Sequence, residues 1–230
     1  MTADPLWPVV RKGIVRDAVG VGVATGAYAI SFGALSVAAG LDFLQTMALS
    51  LLMFTGGSQY ALVGVIAGGG NPLAGAATAI MLGSRNALYG LRMGPLLQTR
   101  GWRRWLAAQL VIDETTAMSM GRNSDRAARL GFYATGISVF TLWNLGTAAG
   151  ALGANALQDP TVLGFDAASA GAFIALLGPR LRGREPWAVA VAAALVAVLA
   201  VPIVPPGVPI LLAALVAVLF AVFPDRAATS

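Results

Sequence analysis

The chain has 230 residues, of which 57% are hydrophobic and 11% charged, and a further 28 are glycine. Soluble domains carry about 25% charged residues, and a single core of this size leaves much of a chain at the surface. The composition therefore argues against a soluble enzyme, a DNA-binding domain or a disordered chain. It predicts a polytopic membrane protein.

The positions of the charges indicate where the loops lie, and the absence of cysteine and histidine restricts the kinds of site that the chain can contain. The net charge is +5, and the 15 basic residues lie in short clusters between apolar runs, which is typical of cytoplasmic loops. The chain has no cysteine and no histidine. This argues against disulfides, thiolate catalysis, haem or zinc bound by those residues, and a histidine proton relay. We expect no catalytic residue, no metal site and no cofactor, so the chain is not predicted to be an enzyme.

The first half of the chain contains the segments that are hardest to place. A basic N-terminus at 1–17 precedes a charge-free run at 18–41, which we predict to be the first membrane helix, with a cytoplasmic N-terminus. The apolar segment 43–84 is long enough for two spans of about 20 residues and is broken by Gly68–Pro72. A basic loop at 92–104 is followed by a short apolar stretch at 105–121 that carries two acidic residues.

The second half is more regular. A basic loop at 122–129 precedes a long predicted span at 131–157. It is followed by a turn at 158–160 and a further span at 165–178, which is short unless it starts near Thr161. After a basic stretch at 180–184, residues 186–223 carry no charge, and Pro205-Pro206-Gly207 divides them into a predicted helical hairpin. We predict one all-α transmembrane domain over 1–230, a polytopic integral membrane helix bundle of about six to eight hydrophobic segments.

The positions of the basic loops conflict with the number of crossings. If all basic loops are cytoplasmic, an odd number of crossings must connect the turn at Asp42 to the loop at 92–104, yet the sequence offers two apolar pieces. The stretch 105–121 also lies between two basic loops. One interpretation is that segments such as 73–91 and 105–121 are half-helices or re-entrant, which transporters tolerate where backbone lines a cavity. The alternative is that one basic loop is external.

Two glycines beside polar residues indicate a binding site in mid-span. Gly56, Gly57, Ser58 and Gln59 combine backbone that can unwind with side chains that donate and accept hydrogen bonds. Hydrogen bonding between helices is the structural alternative. The same two interpretations apply to Asn144, which lies in the middle of a span.

Three charged residues interrupt otherwise apolar segments. Arg85, followed by Asn86, is suited to gripping a carboxylate, unless it is a loop-end arginine that reaches the membrane surface. Asp113 and Glu114 are candidates for proton coupling, because burial and a neighbouring carboxylate favour the protonated form. The alternatives are an ion pair with Arg85 or a cytoplasmic arginine, or an exposed helix face.

Several motifs in order resemble the AzlC-type (azaleucine-resistance) branched-chain amino-acid permease family. The matching stretches, within a family core at 18–179, are Ser31-Phe32-Gly33-Ala34-Leu35, Phe54-x-Gly56-x-Ser58-Gln59, Arg85-x2-Leu88-Tyr89-Gly90, Asp113-Glu114, Trp143-x2-Gly146-Thr147 and Phe173-x-Ala175-Leu176-Leu177-x-Pro179. The resemblance implies the large subunit of a two-component exporter of Leu, Ile, Val and sometimes Met in the bacterial cytoplasmic membrane. It also implies a small hydrophobic AzlD-type partner subunit, with energy from the membrane potential or protons.

The expected partners are therefore the lipid bilayer, the AzlD-type subunit and an amino-acid substrate, with no nucleic acid; a homo-oligomer is an open alternative. We expect helix-end amides near Gly56-Gly57, or Arg85, to bind the substrate carboxylate, and Ser58, Gln59 and one of the two acids to bind its ammonium group. The competing hypothesis from another class is a membrane scaffold or assembly subunit that has no transport path.

Overall fold

The computed structural model describes residues 6–156, 178, 181–205 and 208–222, and within them the chain is helical without a strand. The helices in chain order are α1 (Trp7–Ala38), α2 (Phe43–Met53), α3 (Gly57–Ala67), α4 (Pro72–Leu97), α5 (Trp102–Gln109), α6 (Asp113–Met120), α7 (Asp125–Ala156), α8 (Arg184–Ala200) and α9 (Val208–Val222). The all-α helix-bundle prediction is confirmed. The predicted turn at 158–160 and span at 165–178 lie outside the described residues, apart from Gly178.

Two helices, α1 and α7, form the centre of the bundle and are the two that are long and apolar enough to cross a membrane among the described residues. They run parallel, because Gly26 meets Gly146 and Ile30 meets Gly150 further along both helices. At their first turns Arg126 stacks over the Trp7 ring, and small residues along the seam let the two backbones approach closely. Both helices therefore start at the same end of the bundle.

Gly150 offers a direct test of this seam. A Cβ at this position would collide with the Ile30 carbonyl, whereas a Cβ at Gly153, one turn along the same helix, would meet nothing within 4 Å. We expect Gly150→Ala to lower the melting temperature of the purified protein and Gly153→Ala to leave it unchanged or raise it, because overpacking costs about 1–3 kcal/mol. Equal melting temperatures for the two variants would contradict the parallel packing.

The segment after α1 is a helical hairpin that turns back inside the bundle. From Asp42, which caps α2, the chain runs inward until Ser50 lies 3.2 Å from Thr147, and it turns at Phe54–Gly56. Helix α3 then runs back beside α1, where the Tyr60 hydroxyl donates to the Tyr28 carbonyl at 2.9 Å. The two 11-residue helices are each about 16 Å long, which is half of a membrane core.

Helix α4 crosses the bundle without a break. Its start packs antiparallel to α3, where the Cβ position of Gly75 lies 2.8 Å from Leu62, and its end meets the start of α7, where the Arg129 Nε donates to the Leu96 carbonyl at 2.8 Å. Its 26 residues, about 39 Å, are enough to cross a membrane core. The segment 73–91, for which a half-helix is one sequence interpretation, is therefore part of a continuous helix, and the half-helices lie in 43–67.

Helices α5 and α6 form a second hairpin, which enters from the other end. Leu110, at its tip, packs against Gly136 in the middle of α7, and α6 then returns until the Ser119 hydroxyl bonds the Ala128 carbonyl at 3.1 Å. Arg122, just after the hairpin, pairs with Asp17 of α1. The stretch 105–121 is therefore a broken hairpin, as one of the two sequence interpretations predicts.

The two hairpins resolve the conflict over crossings. The α4–α5 loop, the α6–α7 loop and the start of α1 lie together at what we call the basic end, which carries Arg11, Lys12, Arg16, Arg92, Arg100, Arg103, Arg104, Arg122, Arg126 and Arg129. The loops Ala39–Asp42 and Gly68–Asn71, at the opposite end, contain no basic residue. A helix followed by a hairpin thus occurs twice in inverted orientation, first as α1 with α2–α3 and then as α4 with α5–α6.

The C-terminal segment forms the predicted hairpin. Helices α8 and α9 pack on each other across a turn at Val201–Pro205, and they barely contact the rest of the described chain. Their exposed apolar side chains include Leu195, Val198, Leu199 and Leu219. Exposed apolar faces of this kind suit contact with lipid or with another membrane-embedded surface.

Candidate functional site

The tips of the two hairpins meet α1, α4 and α7 around one small cavity in the middle of the bundle. The volume is about 30 Å³, and the lining combines charged, polar and aromatic residues: Tyr28, Phe54, Thr55, Gly56, Gly57, Arg85, Ile112, Asp113, Glu114, Val139 and Trp143. A cavity of this size holds about two water molecules and is too small for an amino acid. In this conformation the cavity therefore has no room for a whole substrate.

The tip of the first hairpin is held by Gln59. Its Oε1 accepts the Gly56 N–H at 3.0 Å and its Nε2 donates to the Leu49 carbonyl at 2.8 Å, so the fully buried amide joins α3 to the end of α2. Gly56 makes the turn at φ +61°, a region that favours glycine. Its Cβ position has room, since the nearest atom is 3.9 Å away, so the backbone angle and not space selects glycine here.

Thr115 holds the second tip by the same arrangement. It occupies the third position of α6 as Gln59 does of α3, and its Oγ1 accepts the Ile112 N–H at 3.0 Å while it donates to the Leu110 carbonyl at 2.7 Å. Both turns therefore leave a helix N-terminus directed at the cavity. The first N–H groups of a helix have no intrahelical partner and carry partial positive charge, which favours an anionic group.

One cation and two carboxyl groups lie on the cavity wall. The Arg85 Nη2 lies 3.3 Å from the Asp113 Oδ2, so a partly buried ion pair links α4 to the tip of the second hairpin. Asp113 and Glu114 occupy the first turn of α6, where the helix dipole stabilises negative charge. The expected alternative, an ion pair between Asp113 and Arg85, is thus present, and it forms part of the cavity wall.

Several buried polar atoms at or next to the cavity have no hydrogen-bond partner among the described residues. They are Thr55 Oγ1, Ser58 Oγ, Arg85 Nε, Asn86 Oδ1 and Trp143 Nε1. Buried polar atoms are almost always hydrogen-bonded, so a cluster of such atoms indicates a polar guest or bound water. The nitrogens of Arg85 and Trp143 can only donate, and they therefore need an acceptor such as a carboxylate.

The structure brings five of the nine predicted site residues together on the cavity wall: Gly56, Gly57, Arg85, Asp113 and Glu114. Ser58 is buried behind the wall, with its hydroxyl 3.4 Å from the Cβ position of Gly83. Asn86 follows Arg85 but is not part of the wall.

Two predicted binding residues have their amides engaged in the scaffold. Both ends of the Gln59 amide are used in the hairpin tip, which makes it a positioning residue and leaves nothing for an ammonium group. The Asn144 Nδ2 donates to the Phe140 carbonyl at 2.7 Å, one turn earlier on α7, and Asn144 does not reach the cavity. In mid-span, both side chains therefore form hydrogen bonds with backbone groups of the bundle.

Sequence reasoning missed the aromatic part of the wall. Tyr28 and Trp143 meet edge to face, with ring centroids 5.2 Å apart, and Trp143 is 2% exposed. Phe54 packs against Phe140 at 5.0 Å. Tyr28 and Trp143 both lie in the middle of long apolar helices, close in sequence to the small residues of the α1–α7 seam. That spacing is the signal that could have identified them.

Comparison with known proteins identifies the family of the chain. The sequence profile of the family described as AzlC protein matches residues 20–157, which include α1 from residue 20 onward, all of α2 to α7 and every residue of the cavity. No curated protein and no solved structure gives a significant match. The matched region covers more than half of the chain, and α8 and α9 lie outside it. The chain belongs to the AzlC family, a membrane protein family associated with branched-chain amino-acid transport.

Proposed function

We propose that the chain is a secondary transporter that exports branched-chain and related aliphatic amino acids, Leu, Ile, Val and also Met, across the bacterial cytoplasmic membrane. The observation that carries the proposal is the composition of the central cavity, where one arginine and two acidic residues lie among aromatic and aliphatic side chains. A zwitterion with an apolar side chain requires these three kinds of surface. The membership in a transport-associated family supports the same assignment.

The carboxylate of the substrate would bind at Arg85 and the first amides of α3. Arg85 can grip a carboxylate with two hydrogen bonds, and its Nε has no partner among the described residues. The N-terminus of α3 begins at Gly57, directly on the cavity wall, where its dipole favours an anion. Broken helices in transporters commonly present such N-termini to the carboxylate of a substrate.

The ammonium group and the side chain of the substrate would occupy the other walls. Asp113 and Glu114 face the cavity from α6 and provide the negative charge for an ammonium group. Phe54, Val139 and Trp143 provide an apolar surface for an aliphatic chain. Because the cavity has room only for water, binding of a substrate would require the hairpin tips to separate.

Proton or membrane-potential coupling, an AzlD-type partner subunit and an inside location of the N-terminus complete the proposal. The concentration of basic residues at the end where α1 begins supports a cytoplasmic N-terminus, since cytoplasmic loops carry an excess of Lys and Arg. The apolar faces of α8 and α9 and of the outer side of α4 offer surfaces that a second hydrophobic subunit, or a second copy, could cover.

The test is efflux of labelled Leu, Ile, Val and Met from preloaded cells that express the chain together with its proposed small partner. We expect faster efflux than from cells that express the partner alone, and competition by unlabelled aliphatic amino acids. No acceleration for any of the four would contradict the transport proposal. If the chain inserts stably but supports no flux in any condition, the scaffold hypothesis replaces it.

A further inference from the structure

We propose that the hairpins α2–α3 and α5–α6 are the two gates of the central cavity, each of which opens it towards one end of the bundle. The inference rests on the proposed transport function and adds the moving parts. The α2–α3 hairpin enters from the opposite end and α5–α6 enters from the basic end, and each ends in a turn on the cavity wall. Withdrawal of either hairpin would connect the cavity to the end from which that hairpin enters.

The frame against which the hairpins would move is the α1–α7 pair. This parallel pair has the most extensive contacts in the described chain and the closest backbone approach, at Gly33, Gly146 and Gly150. The hairpins pack mainly on other helices, α3 on α4 and both α2 and α6 on α7, and each of these contacts is less extensive than the α1–α7 contact. A central pair with the most extensive packing and hairpins on both sides with less fits two separate opening motions.

The loops that connect the hairpins to the neighbouring helices contain residues that can act as hinges. Gly40 and Gly69 flank α2–α3 with φ values of +91° and +71°, and Gly101 precedes α5 with a φ of +59°. None of these three positions has a neighbouring atom within 4 Å of where a Cβ would lie, so packing does not fix the backbone there. Hinges are commonly a few residues at the ends of elements that absorb large changes in φ and ψ.

One polar contact joins the two hairpins. The Gln109 Nε2, at the end of α5, donates to the carbonyls of Leu51 at 2.9 Å and Leu52 at 3.3 Å, in the last turn of α2. Those carbonyls have no intrahelical partner, because α2 ends two residues later. Movement of either hairpin alone breaks this contact, so Gln109 stabilises the conformation in which both gates are closed.

The absence of cysteine from the sequence makes the gates directly testable by cross-linking. Ser50→Cys with Thr147→Cys would fix the α2–α3 hairpin to α7, because the two hydroxyl oxygens are 3.2 Å apart. Leu110→Cys with Gly136→Cys would fix the tip of α5–α6 to α7, since the Cβ position of Gly136 lies 3.1 Å from the Leu110 Cβ, slightly closer than a disulfide requires. A reporter, Thr55→Cys on the cavity wall, is then labelled with a membrane-impermeant maleimide from each side of the membrane.

We expect the Ser50–Thr147 cross-link to abolish reporter labelling from the opposite end and to leave labelling from the basic end. The Leu110–Gly136 cross-link should do the reverse, and a reductant should restore both. A separate Asn71→Cys variant shows from which side of the membrane the opposite end is labelled, since Asn71 lies in the Gly68–Asn71 loop at that end. Because glycine to cysteine at 136 could prevent folding, the Ser50–Thr147 arm is decisive alone: labelling that stays unchanged, or falls equally from both sides, overturns the proposal. One-sided labelling without amino-acid flux would instead retain the gates and reject the proposed function.

Discussion

Arg85→Gln should abolish concentrative transport of aliphatic amino acids while leaving the protein inserted in the membrane. Among the residues that the structure describes, Arg85 is the only cation on the cavity wall, and its pairing with Asp113 at 3.3 Å directs the guanidinium to the site. A hydrogen bond between charged groups contributes about 2 kcal/mol or more, so we expect transport at low substrate concentration to fall by at least about 30-fold. The measurement is the initial rate of labelled leucine flux, normalised to the amount of inserted protein.

Two further variants separate substrate binding from charge and folding. Arg85→Lys keeps the charge but cannot form the two-pronged carboxylate contact, so it should recover only part of the rate. Arg92→Gln removes an exposed arginine two turns further along the same helix and should transport normally. If Arg85→Gln transports as well as Arg92→Gln does, the carboxylate of the substrate binds elsewhere.

Glu114→Gln should uncouple transport from the proton gradient. Glu114 is the second carboxyl group on the cavity wall, beside the Asp113 carboxylate that pairs with Arg85, and an acidic residue at membrane depth is a candidate for carrying a coupling proton. We expect the variant to lose accumulation driven by an imposed pH gradient. Exchange of external labelled leucine for internal unlabelled leucine should continue, because that reaction requires no net movement of protons.

The controls distinguish the two acidic residues. Asp113→Asn should impair both exchange and proton-driven transport, because it leaves the partly buried Arg85 without its carboxylate partner. Glu185→Gln, at an exposed position at the start of α8, should leave both activities intact. If Glu114→Gln retains accumulation driven by the pH gradient, Glu114 is not the coupling residue.

The sequence predicted the helical membrane fold because composition and spacing of apolar runs report directly on the solvent around a chain. It also indicated that the backbone at the Gly56-Gly57 pair can unwind, whereas the reversal of the chain there was not predicted. The two hairpins were foreseen only as one of two alternatives. Segment length alone does not say whether 43–67 crosses once or returns, and that depends on tertiary contacts such as Tyr60 with Tyr28.

Among the predicted site residues, the charged ones all lie on the cavity wall. Arg85, Asp113 and Glu114 stood out because ionised side chains are rare at membrane depth, and all three line the cavity. Gln59 and Asn144 stood out as neutral polar residues in mid-span, but neutral amides also satisfy backbone groups of the helices, and sequence cannot distinguish the two uses. Tyr28 and Trp143 were not predicted, because aromatic residues in apolar helices are usually core residues, and only their spacing from the small residues of the α1–α7 seam sets them apart.

The arrangement of two inverted hairpins assigns a side of the membrane to each of three loops, α3–α4, α4–α5 and α6–α7, and labelling these loops tests it. Single cysteines at Asn71, Thr99 and Asn123 are labelled with an impermeant maleimide in intact cells and in inverted vesicles. The account predicts that positions 99 and 123 react from the same side and position 71 from the other. If both broken segments instead passed straight through the membrane, positions 71 and 123 would share a side and position 99 would lie opposite, and that result would contradict the account.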